Sequence, residues 1–119
     1  MEAWGESVWK YYGTNDYGSY YYDAETLTRP SKEIVRVWVQ SAYMDQGISH
    51  WVRGGGEEFQ NLGYTLVLTE LSCVDRSVRS LQIVFYSKEK EVLNPINANE
   101  WEFFAPNTMS EALYEVLCQ

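Results

Sequence analysis

Histidine occurs once in the 119 residues, at His50, so a zinc centre built on two imidazoles is ruled out. Basic residues are also few, nine lysines and arginines against seventeen acids, for a net charge of −8. A field of that sign repels phosphate backbones and anionic lipid, and no nucleic-acid partner is expected. No apolar run approaches the roughly 20 residues of a membrane-spanning helix. The opening Met1-Glu2-Ala3-Trp4-Gly5-Glu6 has two acids and no apolar core, unlike a signal peptide, and reads as the start of a mature segment with an added or retained Met1. Residues 1–7 are expected to be loosely ordered, ahead of a single domain spanning 1–119. Phosphate and calcium loops are missing too. Arg53-Gly54-Gly55-Gly56-Glu57-Glu58 is rich in glycine but lacks the Gly-Lys-Ser/Thr ending that holds phosphate and magnesium, and Asp45, Glu57 and Glu58 have no Asp-x-Asp-x-Asp-Gly frame.

Cysteine is limited to Cys73 and Cys118, each closing an apolar element, Tyr64 to Cys73 and Met109 to Cys118. The placement suggests one bridge between a strand end and the tail, which would indicate an oxidising compartment outside the cytoplasm. Two buried free thiols are the alternative. A loop of about 45 residues would contribute about 4 kcal/mol in the chain-entropy treatment.

What the chain has in abundance is aromatic side chains, 16% of residues, including ten tyrosines and five tryptophans. Broad rings suit pleated strands first and recognition surfaces second. Val8 to Tyr12 and Ser19 to Tyr22 flank Gly13-Thr14-Asn15-Asp16-Tyr17-Gly18 and read as a hairpin. Asp23 to Thr26 is a turn, and Arg29-Pro30-Ser31 interrupts the chain. Ile34 to Met44 is the clearest strand, with Val35, Val37, Val39 and Tyr43 on one face against Arg36, Gln40 and Ala42. Trp38 breaks that polarity and is expected under the C-terminal helix, with exposure for binding as the alternative. Asp45 to Gly63 reads as a long polar loop. Tyr64 to Cys73 and Val78 to Tyr86 form a second hairpin around Val74-Asp75-Arg76-Ser77, and Val92 to Pro95 is a short strand stopped by proline. Thr108 and Glu111 fit a capping box, followed by an apolar stripe of Met109, Ala112, Leu113, Val116 and Leu117. The fold class expected is α+β, an antiparallel sheet of about six strands with one C-terminal helix packed on it.

Residues capable of chemistry are sparse, and no catalytic residue, metal ligand or cofactor is assigned. His50 beside Ser49 lies in no nucleophile motif. Arg76 and Arg79 are expected to pair locally with Glu70 and Asp75. The candidate partner contact is His50, Trp51 and Arg53, because tryptophan and arginine dominate interface hot spots. The competing expectation has Trp51 folding back over the sheet edge.

Three blocks together resemble the surface-adhesin protein E family of bacterial envelope proteins. They are Tyr22-Asp23 with Leu27 and Val35-Arg36-Val37-Trp38-Val39; Glu70-Leu71-Ser72-Cys73 with Arg76, Arg79 and Leu81; and Trp101, Pro106 and the Thr108 to Cys118 helix. The resemblance implies a sheet of about six strands, a C-terminal helix, a bridge between Cys73 and Cys118, and export to the periplasm or cell surface. It also implies adhesion to a protein partner of the extracellular-matrix type, although no adhesive motif can be matched residue by residue. Lys88-Glu89-Lys90-Glu91 replaces the family's usual turn, and no lipobox cysteine supports a lipid anchor. The leading expectation is therefore a non-enzymatic, extracytoplasmic binding domain, monomer or homodimer. Two alternatives are a small enzyme or enzyme inhibitor with its site on 45–63, and an envelope protein that self-associates through the aromatic sheet face.

Overall fold

Val35, Val37 and Val39 are sealed from solvent while Arg36 between them is exposed, as the alternation along this strand requires. The computed structural model describes residues 9–93 and 100–118. The expected loose order of 1–7 and the proline stop at Asn94-Pro95 lie outside the described residues. The elements are β1 (Trp9–Thr14), β2 (Gly18–Asp23), β3 (Thr28–Ser31), β4 (Ile34–Tyr43), α1 (Asp45–Gly55), a 3-10 turn (Glu57–Asn61), β5 (Leu62–Ser72), β6 (Ser77–Ser87), β7 (Glu102–Phe103) and α2 (Met109–Leu117). All pairings are antiparallel in the order β1-β2-β4-β5-β6-β7. The long strand β4 takes β2 along Val39–Tyr43 and β3 along Ile34–Arg36, so two short strands share one of its edges.

The interruption expected at Arg29-Pro30-Ser31 is thus a strand. Proline costs little there because β3 is an outer strand, where a missing N–H breaks no ladder. The larger correction concerns 45–63, which is a helix and a 3-10 turn rather than a loop. Ile48, Trp51 and Val52 fall on one side of α1 at helical spacing and pack on Phe59, Leu62 and Phe85. Gly47 is buried where α1 meets the β1–β2 turn, and a Cβ there would sit 2.3 Å from the Tyr17 carbonyl oxygen.

Both helices cover the same sheet face. At one end, Leu113 and Leu117 of α2 meet Val35, Val37, Val39 and Leu71. At the other, α1 lies over Tyr43, Ile83 and Phe85. Trp38 alternates with the valines under α2, so it lies on the opposite face and the expectation that it sits beneath the helix is corrected.

α2 is held at both ends. The Thr108 hydroxyl accepts the Glu111 N–H at 3.2 Å, while the Glu111 carboxylate accepts the N–H of Asn107 at 2.8 Å rather than that of Thr108, a capping box displaced by one residue. At the C-terminal end Arg29 of β3 donates to the Leu117 carbonyl at 3.0 Å, and Cys118 is bridged to Cys73 with a Cα separation of 5.4 Å. A helix of nine residues is marginal alone in water, and these anchors compensate for its shortness.

Candidate binding surface

The sequence places His50, Trp51 and Arg53 together, but a helix turns each residue by about 100° from the last, so they part company. Trp51 faces inward, with ring centroids 4.9 Å from Phe85, 5.8 Å from Phe59 and 6.4 Å from Tyr43. His50 is exposed and stacks on Tyr17 at 4.9 Å. Arg53 is exposed beside a shallow cleft of about 360 Å³ bordered by Ile48, Ser49, Val52 and Gln60. His50 and Arg53 are thus the exposed members of this trio. Among the described residues, no three histidine, cysteine, aspartate or glutamate side chains converge as a metal site would need.

The sheet face away from the helices carries a different constellation, set by strand register. Arg36 of β4 pairs across to Glu70 of β5, and Glu70 to Arg79 of β6. Each guanidinium applies its Nε and one Nη to a single carboxylate oxygen: Arg36 to Oε2 at 2.8 Å, and Arg79 to Oε1 at 2.9 and 2.8 Å. The Glu70 side chain is only 3% exposed. Burial favours its neutral form, but the two guanidiniums outweigh that and hold the carboxyl below the ordinary glutamate range. The expected partnership of Arg79 with Glu70 is present. Arg76 instead reaches Glu111 at 2.8 Å and lies over the Tyr114 ring at 4.4 Å, tying the β5–β6 turn to α2.

Arg79 also stacks 4.7 Å over the ring of Trp101, so the clamp on Glu70 fixes the tryptophan in turn. Next to it runs the register row Ile34, Ser72, Ser77 and Phe103 across β4, β5, β6 and β7. Bulky side chains at the ends and serines in the middle leave a trough. Its volume is about 330 Å³, with Trp101 and Asp75 completing the walls. The Ser72 hydroxyl accepts the Asp75 N–H at 3.1 Å, which sets the turn and the carboxylate at the rim. Phe103 is 82% exposed and Trp101 40%. Single exposed apolar residues need no explanation, but two adjacent aromatics flanking a trough are what a protein contact uses. The trough can take an apolar side chain between rings, and Asp75 can accept from a cation beside it.

In the sequence Trp101 stands out through the family resemblance, whereas Phe103 does not. The signal available was the pair of aromatics in Trp101-Glu102-Phe103, which period-two spacing places on one side of a strand. Their exposure depends on β7 pairing at only two positions, Ser77 with Phe103 and Val78 with Glu102. That pairing is long-range and leaves no local trace in the sequence.

In comparisons with known proteins, the family model described as Surface-adhesin protein E matches residues 9–119. Neither a curated protein nor a solved structure matches the chain.

Proposed function

The chain belongs to the surface-adhesin protein E family, and from that premise we propose that it is an extracytoplasmic, non-enzymatic binding domain that docks a protein partner in the trough between Ile34, Trp101 and Phe103. The observation carrying this reading is the exposure of Phe103 and Trp101 beside a preformed trough, with Trp101 pre-positioned by Arg79. Pre-positioning lowers the entropy lost when a side chain is immobilised on binding. The Cys73–Cys118 bridge supports an oxidising location, because thiol pools in the cytosol keep most such pairs reduced. Asp75 at the rim and the net charge of −8 favour a partner surface that combines apolar and basic side chains, as extracellular-matrix proteins offer.

The test is surface plasmon resonance of the purified domain over a panel of immobilised extracellular-matrix proteins. At least one is expected to bind, and Phe103→Ala combined with Trp101→Ala should weaken it about 10-fold or more, a loss of about 1.4 kcal/mol. Lys88→Ala, on the exposed β6 turn, serves as a neutral control. Arg53→Ala and His50→Ala report on the α1 end. If they abolish binding while the double variant retains it, the contact lies on α1 and the trough assignment fails. If no panel member binds the native domain, the matrix-type partner is wrong.

A further inference from the structure

The two helices leave a strip of their sheet face uncovered between them, and it forms a second cleft, of about 280 Å³. Its floor combines Val39, Val67 and Val78 on three neighbouring strands with Ser41 and Thr69 beside them. Its walls carry hydroxyls: Tyr12 and Tyr20 from the first hairpin, Ser80 from β6 and Ser110 from the first turn of α2. The Tyr12 and Tyr20 rings lie 6.2 Å apart. We propose that this cleft binds a neutral, polyhydroxylated ligand the size of a single sugar ring.

The donor set selects that chemistry. Among the described residues, no lysine or arginine lines the cleft and Glu102 is the charged wall residue, so an anion would meet no countercharge there. A wholly apolar ligand would cover the wall hydroxyls without replacing their hydrogen bonds to water, which disfavours it. The Tyr12, Ser80 and Ser110 hydroxyls make no hydrogen bond to another described residue. No buried side-chain polar atom among the described residues lacks a partner, so these hydroxyls are not sealed from solvent, and their residues line the cleft. Tyr20 donates to the side-chain Oδ1 of Asn15 at 3.1 Å and keeps its lone pairs for a donor from a ligand. Burial, reinforced by the neighbouring Tyr20 and Tyr43, pushes the Tyr12 hydroxyl far above the ordinary tyrosine range, so it stays a neutral donor and acceptor at any physiological pH. Hydroxyls that both give and accept match a ligand whose own groups do the same. The three floor valines match the C–H face of a sugar ring. The volume of about 280 Å³ suits one ring and not an extended chain.

The cleft is on the helix-bearing face and the aromatic trough on the other, so this assignment stands or falls separately from the proposed protein contact. The experiment is saturation-transfer NMR followed by titration of the intact domain with glucose, galactose, mannose and N-acetylglucosamine, with glucuronate and cyclohexanol as comparators. At least one neutral sugar is expected to bind saturably in the millimolar range, about 4 kcal/mol of binding free energy. Tyr12→Phe and Ser80→Ala should each weaken it about fivefold or more, from a lost hydrogen bond worth about 1 kcal/mol, at unchanged melting temperature. Lys88→Ala should bind like the native chain. The proposal is overturned if no neutral sugar binds at about 50 mM, well above that millimolar affinity. It is also overturned if glucuronate or cyclohexanol binds more tightly than every neutral sugar, or if Tyr12→Phe and Ser80→Ala both bind at native strength.

Discussion

Consider removing both guanidiniums from Glu70, by Arg36→Met and Arg79→Met, so that the aliphatic stems keep most of their packing while the charges go. Each arginine makes a two-donor contact to one oxygen of a glutamate whose side chain is 3% exposed, but the arginine side chains are 44% and 29% exposed. A charge-assisted hydrogen bond contributes about 1.5–3 kcal/mol. Solvent screening at the exposed partners lowers the expected cost of either single substitution to about 1–2 kcal/mol. The double variant is different in kind. One arginine still compensates the carboxylate, but with neither present an ionised group is left buried and unpaired, at about 4–5 kcal/mol. The two single costs should therefore sum to less than the double, by about 1.5 kcal/mol at the middle of these ranges, a coupling that equilibrium urea unfolding can resolve if the m-value is shared. Glu70→Gln should cost less than the double arginine variant, because the stranded charges are then half in water.

The pH dependence separates the two cases further. In the native chain the folded carboxyl titrates below its ordinary value near 4.5, so its contribution is fully present above that value and is lost as pH falls through the lower folded one. The gap between the native chain and Glu70→Gln should close on acidification across that window. In the double arginine variant burial alone raises the folded value, so the sign reverses and the variant should recover stability as pH falls from about 7 towards 5. Strictly additive costs, or a double variant that does not recover in acid, would refute the account of Glu70 as a buried charge held by two partners.

Two further outcomes are expected. Cys118→Ser should lower stability by about 4 kcal/mol, and dithiothreitol should lower the melting temperature of the native chain but not of the variant; equal melting with and without reductant in the native chain would show that the bridge contributes nothing. Gly47→Ala would raise helix propensity by about 1 kcal/mol at an exposed site, but here its Cβ meets the Tyr17 backbone oxygen and the displacement of α1 should cost about 1–3 kcal/mol, so calorimetry should show a lower melting temperature and not a higher one.

The parts of this fold that could be read in the sequence are those governed by local spacing. The valines of β4 declare their face at period two, Thr108 and Glu111 announce the start of α2, and each cysteine stands at the end of an apolar element. The Arg79–Glu70 partnership was also within reach, since the short β5–β6 turn brings them opposite each other. α1 was obscured by Gly47, Gly54 and Gly55, each unfavourable in a helix by about 1 kcal/mol relative to alanine. Ile48, Trp51 and Val52 override that cost by burying against Phe59 and Phe85, while Asp45 at the N-terminal turn and Arg53 in the last suit the helix dipole. Their spacing was the available signal. Pro30 hid β3 because an outer strand tolerates what an inner one does not. The candidate sites were least legible. Tyr12 and Tyr20 look like any strand tyrosines until two helices, distant in sequence, leave the same strip of sheet uncovered.

Mechanical load gives the disulfide a meaning apart from thermodynamic stability. Cys73 ends β5 and Cys118 ends α2, so everything between them, β6, β7 and α2 included, hangs within a covalent loop with a sequence separation of 45 residues. A pull applied along the chain from the β1 end to the C-terminal end crosses that bridge and never stretches the loop. At about 3.4 Å per extended residue, roughly 150 Å of contour is withheld from extension. The strand that bears the aromatic trough and the arginine stacked on its tryptophan both sit inside the protected loop. Under shear, such a domain yields first in its N-terminal strands, while the β6–β7 portion of the proposed contact surface remains bounded by a bond that tension alone does not open.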